Sequence, residues 1–340
     1  MLNYDRSAVP VRPLVVRIRN WVGDVVLGVP ALKLIESHGY SLTIVARGKW
    51  APALLSGYDW PVLVQPSSVA DKLAQLRELR AQCRRIDPQF DRRENTLLMP
   101  ESFSSALEMR LAGLRAVGYS REGRSLLMAR GETLTRGGHN LVNYWNLACR
   151  FLRIEQPAPN HVDFQVSVGN AEAARRLLAA HGVVGDFVMI CPFAAGLATA
   201  KKLNKKWPAF ADFVRQAART LGLPLLVYPG PGEHAQAREL YPAAIMVDGS
   251  DMGIYGALLQ RATLVVANDT GPAHMAAALG TRLLSVLGPT IAKEWAPWGP
   301  RVTVLQRPQT GDQTDWPTAD AVIIAAQQQL AAARAERMQA

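Results

Sequence analysis

The stretch Leu264–Gly280, LVVANDTGPAHMAAALG, is a short apolar run that breaks into a polar turn and passes at once into a run of small residues. Thr270 is a natural N-cap, Gly271 permits close backbone approach, and Pro272 suits the first helical turn, so the string predicts strand, turn and helix in that order. Such a turn is suited to an anion, because the leading N–H groups carry the positive end of the helix dipole. His274, in the helix's first turn, is placed to hydrogen-bond a phosphate there, and Asp269 to bind a hydroxyl of whatever the phosphate carries. A plain capped helix with a satisfied histidine would use the same residues.

The rest of the chain repeats this alternation of β-branched runs and amphipathic stretches, which predicts an α/β protein. Strands are expected at Leu14–Ile18, Tyr40–Ala46 and Thr96–Met99, with helices at Asp24–Ser37, Val69–Ile86, Ser104–Gly113 and Leu141–Leu152. Strands at Phe187–Cys191, Leu225–Tyr228, Ile245–Val247, Leu264–Ala267 and Arg282–Leu287 follow. Between the two sets, Glu155-Gln-Pro-Ala-Pro-Asn160 reads as a linker. A chain of 340 residues exceeds what one core usually serves. The expected layout is a domain over residues 1–160, a second over 161–320 and a closing helix over 321–340. Two doubly wound sheets of this kind bind ligands at the carboxyl ends of their strands, here in a cleft expected between them.

Lys and Arg number 38 against 28 Asp and Glu, a net charge of +10, which points to an anionic partner. Many of the arginines fall in the first half, among them Arg77, Arg80, Arg84, Arg85, Arg92 and Arg93. Nucleic acid is disfavoured as that partner, since no single-strand aromatic platform, zinc spacing or helix-turn-helix signature is present. No apolar run approaches the ~20 residues that span a bilayer, and residues 1–13 are too polar for a secretory signal, so a cytoplasmic protein is expected. Trp50, Tyr58 and Trp60 stand near basic residues, either touching the inner leaflet or forming a packed aromatic cluster. Cys83, Cys149 and Cys191 have neither metal nor redox spacing and read as buried reduced thiols.

Three further places lie at the ends of expected strands. Arg19-Asn-Trp-Val-Gly-Asp24 leaves the first strand and starts a helix near Asp24, whose carboxylate is either a general base or an N-cap. This turn lacks Gly-x-Gly-x-x-Gly, which argues against a dinucleotide-dependent dehydrogenase. In the loop from Phe193 to Pro208, small residues and four lysines precede Trp207. Lys205 or Lys206 can supply a point charge to a diphosphate and Thr199 a hydroxyl, or the loop is simply a basic surface segment. After Tyr228-Pro-Gly-Pro-Gly232, Glu233 is placed to accept from ribose hydroxyls or to cap the next helix.

Taken together, Gly23-Asp24, Lys205-Lys206-Trp207-Pro208, Glu233, Asn268-Asp269-Thr270-Gly271-Pro272-x-His274 and Leu287-Gly288-Pro289-Thr290 resemble, in order, the motifs of family 9 glycosyltransferases, the bacterial heptosyltransferases. Ser102-Phe-Ser-Ser-Ala-Leu107 and Val117–Arg124 are similar to that family's acceptor-side domain, so the likeness runs over roughly residues 14–305. It implies a GT-B architecture of two Rossmann-like domains and transfer of heptose from ADP-heptose, with inversion, to an inner-core sugar of lipopolysaccharide. It further implies Asp24 as general base, Lys205 on the diphosphate, Glu233 on the ribose, and Asp269 on the donor sugar. Thr270, Gly271 and His274 would hold the phosphates, and Ser102, Ser105, Arg121 and Arg124 the acceptor, an anionic lipid-linked glycan reached by peripheral contact with the inner membrane.

The family's closing helix implies, by analogy, that the last segment returns to the first domain. No Asp-x-Asp pair exists to chelate a metal against the diphosphate. Lysine and helix N-terminus are therefore expected to neutralise it without metal or other cofactor. The chain departs from the family at Glu101, where a small amide or polar residue is usual, and lacks the cysteine-bearing stretch common near the end. Another nucleotide sugar as donor remains the alternative within the same fold.

Overall fold

Parallel pairing of short apolar runs builds two sheets in a computed structural model that describes residues 11–121, 123–194, 197–198, 203–249, 251–308 and 315–339. The chain divides into two units, Met1–Pro52 with Asp59–Ala158, and Ala53–Tyr58 with Pro159–Ala340.

In the first unit the strands are Arg12–Arg17 (β1), Tyr40–Ala46 (β2), Val62–Val64 (β3), Thr96–Leu98 (β4), Ala116–Tyr119 (β5) and Arg130–Glu132 (β6), paired in the order β3-β2-β1-β4-β5-β6. Helices Val22–Ser37 (α1), Ala51–Leu54 (α2), Val69–Ile86 (α3), Phe103–Leu111 (α4) and Asn140–Leu152 (α5) accompany them. Val15, Val45 and Leu98 pack against Leu76, Leu79, Ala106 and Met109 of α3 and α4. α1 packs against α5, and every residue from Asp24 to Leu32 is buried. A helix apolar on all sides belongs inside, which is why α1 shows no amphipathic stripe in the sequence.

The second unit repeats the plan with Val188–Cys191 (β7), Leu225–Val227 (β10), Ile245–Met246 (β11), Leu264–Asn268 (β12), Leu283–Val286 (β13) and Val302–Leu305 (β14), in the order β11-β10-β7-β12-β13-β14. Leu197–Ala198 (β8) and Leu203–Asn204 (β9) form an antiparallel pair of their own. The helices are Val168–Ala180 (α6), Phe210–Thr220 (α7), His234–Leu240 (α8), Met252–Arg261 (α9), Gly271–Ala278 (α10), Ala292–Trp295 (α11) and Ala319–Gln339 (α12). In each sheet the strand order reverses beside the first strand, between β1 and β4 and between β7 and β12. The crevice at the carboxyl ends there is where such sheets take ligands.

Several expectations need correction. β3, β5, β6 and β14 are not among the strands expected from the sequence. In α12, Val322, Ile323, Ala326 and Leu330 enter the second unit's core, beside α7. Two of the aromatic residues near position 50 make contacts within the protein. Trp60 is buried and donates to Glu36 Oε1 at 2.8 Å, while Tyr58 stacks edge to face on Phe164 and accepts from Gln165 N. Among the described residues no helix is long and apolar enough to cross a membrane. All three cysteines are buried, and burial pushes the Cys83 thiol up to about 11 and that of Cys191 to about 12.

Candidate active site

At the carboxyl end of β1, Trp21 is the N-cap of α1 and Asp24 sits inside its first turn, so the capping explanation of Asp24 is overturned. Its side chain is 6% exposed, and Oδ1 accepts from Tyr144 Oη at 2.5 Å and from Arg19 Nε at 3.3 Å. Among the described residues Oδ2 receives no hydrogen bond, so one oxygen is anchored and the other is available for a proton. Burial, and then the Asp24 carboxylate, hold the Tyr144 phenol well above its usual range, which keeps it a donor. Burial works against the charge of Arg19, but Tyr144, Asp24 and Glu101 outweigh it and raise its pKa. Glu101, at the end of β4, bridges Arg19 Nη1 at 3.2 Å and Arg121 Nη1 at 2.8 Å. Arg19, Asn20, Trp21, Glu101, Ser102 and Arg121 line a cavity of about 400 Å³ beside this chain of charges.

Two of the residues expected to face an acceptor do not. Arg124 is completely buried and donates through Nη1 to Pro100 O at 2.6 Å and Ser102 O at 3.2 Å. Its volume is accommodated by Gly118, where a methyl group would stand 2.8 Å from both Arg124 Nη2 and Leu98 O. Ser105 is buried as well, its hydroxyl donating to Ser102 O at 2.7 Å. Both therefore shape the segment around Ser102 from beneath. Ser102 itself caps α4, accepting from Ser105 N, while lining the cavity.

In the second unit, Lys205 Nζ stands 2.7 Å from Asp269 Oδ2, and Thr290 Oγ1 donates to the same oxygen at 2.5 Å. This cluster joins the ends of β9, β12 and β13 next to the start of α10. Thr270 is the N-cap of α10, but its side chain makes no capping bond. The Ala273 and His274 N–H groups both donate to Thr270 O, so fewer amides face outward than the sequence suggests. Among the described residues neither the Thr270 hydroxyl nor the Gly271 amide makes a hydrogen bond. His274 is buried within α10 and Lys206 is exposed. Glu233 occupies the N-cap position of α8, yet its Oε2 turns back to accept from Gly230 N at 2.8 Å and closes the turn after β10. Thr199 lies outside the described residues.

Arg19, Asn268 and Thr290 stand in motifs of the sequence without a role of their own, and Tyr144 stands in none. Asn268 is wholly buried: Oδ1 accepts from Trp207 N at 3.1 Å and Nδ2 donates to Pro192 O at 2.5 Å. Trp207 Nε1 in turn donates to Pro317 O at 2.8 Å. Asn268 thus ties the connection that bears Lys205 to the end of β7. Its place inside the Asn-Asp-Thr-Gly-Pro string was the available signal, whereas Tyr144 lies 120 positions from Asp24 and leaves none. Among the described residues no group of three or more His, Cys, Asp or Glu side chains is arranged to hold a metal ion.

Residues 84–320, well over half of the chain, match glycosyltransferase family 9 (heptosyltransferase). Two curated relatives named lipopolysaccharide heptosyltransferase 3, from Escherichia coli and from its strain K12, are each 30% identical, over 155 and 134 residues. The aligned stretches cover 43% and 36% of this chain and 43% and 37% of the relatives, so the match spans less than half of their length. Among solved structures, E. coli ADP-heptose lps heptosyltransferase II aligns with a TM-score of 0.76 at 20% identity, covering 94% of this chain and 98% of that one. The family 9 glycosyl transferase from Veillonella parvula gives 0.76 at 18% identity, covering 94% and 97%. E. coli heptosyltransferase WaaC with ADP gives 0.69 at 20%, covering 93% and 99%. These likenesses establish the fold, the GT-B architecture of two Rossmann-like units. By the extent of its sequence match the chain belongs to glycosyltransferase family 9.

Proposed function

We propose that this chain is an inverting heptosyltransferase that moves a heptose from ADP-heptose to an inner-core sugar of lipopolysaccharide, with Asp24 as general base. The observation that carries the proposal is the asymmetry of the Asp24 carboxylate, fixed through Oδ1 by Tyr144 and Arg19, with Oδ2 left without a partner among the described residues. A base held in this way has a set direction, and it takes the acceptor's proton as the hydroxyl attacks the anomeric carbon. Attack on the face opposite the departing ADP inverts the configuration at that carbon.

The second unit supports the donor half of the reading. The leaving diphosphate gains negative charge as its bond to the sugar breaks, and Lys205 with the N-terminus of α10 supplies positive charge and donors where that charge develops. No metal is needed in this scheme. The Lys205–Asp269 pair places both groups at one point, so that the ammonium can turn to phosphate while Asp269 accepts from a sugar hydroxyl. Glu233, with Oε2 engaged at Gly230, offers Oε1 to ribose. On the acceptor side, the Arg19–Glu101–Arg121 chain and Ser102 present both signs of charge to a polar, anionic glycan. The two E. coli relatives are named for heptosyl transfer to lipopolysaccharide, and one structural neighbour is described as holding ADP.

The test is transfer of labelled heptose from ADP-heptose to a heptose-deficient lipopolysaccharide core. Product with inverted anomeric configuration supports the proposal. Absence of transfer alongside tight ADP binding would redirect it to another ADP-linked sugar or another acceptor, and absence of ADP binding would remove the donor assignment.

A further inference from the structure

A second concentration of chemistry lies at the other end of the first sheet, where β1 begins. Arg12, His38, Arg92, Arg93, Arg115 and Arg153 border a cavity of about 520 Å³. Its apolar wall is aromatic: the Arg12 guanidinium lies 4.4 Å over the Tyr40 ring, and Tyr40 meets Phe151 edge to face at 5.4 Å. A ring, not a carboxylate, orients Arg12.

The nearby acids are already committed. Glu94, itself on the cavity wall, takes a two-pronged contact from Arg130, at 2.7 and 2.8 Å, and Asp87 pairs with Arg93. Among the described residues no Asp or Glu carboxylate oxygen lies within 4.0 Å of a side-chain nitrogen of Arg12, Arg92, Arg115 or Arg153. The field of the cluster is felt by its members. The Arg130 hydrogen bond, joined by the charges of Arg153 and Arg115, holds the Glu94 carboxyl below its usual range against burial, while burial and the charge of Arg12 lower Arg93. Arg153 also caps α5 in the left-handed conformation, φ 59°, where glycine or asparagine is usual. Like charges gathered around a concavity and a strained backbone both cost stability, and an anion in the cavity offsets the repulsion.

We infer that this cavity is a phosphate-binding site, distinct from the residues assigned to transfer and independent of that assignment. Guanidinium forks match phosphate oxygens in pairs, and the cavity offers several of them from different elements around one volume. The phosphate can be that of an anionic lipid headgroup or of a free phosphate compound. The chemistry of recognition is the same for both.

The test uses the full chain carrying Arg115→Ala with Arg153→Asn, because Arg115 and Arg153 are exposed and asparagine tolerates the left-handed backbone. Arg175→Ala with Arg176→Ala, two exposed arginines on α6 of the other unit, removes equal charge elsewhere. Lys205→Ala reports on the diphosphate cluster. Each protein is floated with phosphatidylglycerol and with phosphatidylcholine vesicles and titrated with pyrophosphate by calorimetry. A headgroup site predicts partitioning onto phosphatidylglycerol vesicles only, reduced at least about tenfold in the Arg115/Arg153 variant and unchanged in the other two. A free-phosphate site predicts no flotation, with a pyrophosphate site lost in the Arg115/Arg153 variant and kept in Lys205→Ala. If the Arg115/Arg153 variant matches wild type in both measurements, or loses no more than the α6 control, the inference is overturned.

Discussion

The two sheets share one strand order, yet the group proposed as reactive in each is held by a different route. In the first unit the carboxylate of Asp24 rides on α1, a helix buried through most of its length, and is clamped by Tyr144 from α5, the helix that packs beside it. In the second, Lys205 rides on the connection between β9 and α7, and that connection is fixed by side chains: Asn268 to Trp207 N, and Trp207 to Pro317 O. The proposed base must hold its direction, and burial in a helix pair provides this. The proposed diphosphate contact must sit at the start of α10 beside Asp269, and a tether from the neighbouring residue Asn268 provides that.

The largest expected effect separates the two units by function. Asp24→Asn keeps the hydrogen bond from Tyr144 but removes the base, so kcat should fall by about 10³ with the affinity for ADP unchanged, measured by transfer rate and by ADP titration. Lys205→Ala should lower kcat/KM by about 10² and weaken ADP binding, the complementary pattern, because in the proposed reaction its charge stabilises the departing diphosphate. An equal effect of the two substitutions on ADP affinity would break the division between the units.

Smaller effects sharpen the contrast between the two anchors. Asn268→Ala leaves the Trp207 amide and the Pro192 carbonyl without their buried partner, so a loss of about 2 kcal/mol in urea unfolding is expected, together with weaker ADP binding and no change in the Asp24 environment. Tyr144→Phe removes one hydrogen bond to Asp24 while preserving the packing of α5. The expected cost is about 1 kcal/mol in the barrier, roughly a fivefold fall in kcat, with ADP affinity intact. A larger effect of Tyr144→Phe on ADP affinity than on kcat would mean that the carboxylate is not what Tyr144 serves.

The same contrast decides what was legible in the sequence. The β12–α10 turn could be read because strand, cap, glycine and proline are consecutive, and Lys205-Lys206-Trp207-Pro208 because charge and helix start adjoin. The anchoring of Asp24 could not, since Arg19 is near in sequence but Tyr144 and Glu101 reach the site only through the pairing of β4 and the packing of α5. Arg124 was misread for the related reason that burial of an arginine depends on what lies above it: Gly118 leaves the space and two carbonyls receive the charge. Periodicity reports which face of an element is apolar. It does not report which distant side chain turns a polar group inward.

The most direct measurement of the division between the units is ADP affinity by calorimetry across wild type, Asp24→Asn and Lys205→Ala, paired with single-turnover transfer from ADP-heptose for each. The structure predicts that Asp24→Asn binds ADP as wild type does and scarcely transfers, while Lys205→Ala binds ADP more weakly and transfers slowly. Loss of ADP binding in Asp24→Asn, or wild-type ADP binding in Lys205→Ala, would contradict the assignment of base to the first unit and diphosphate site to the second.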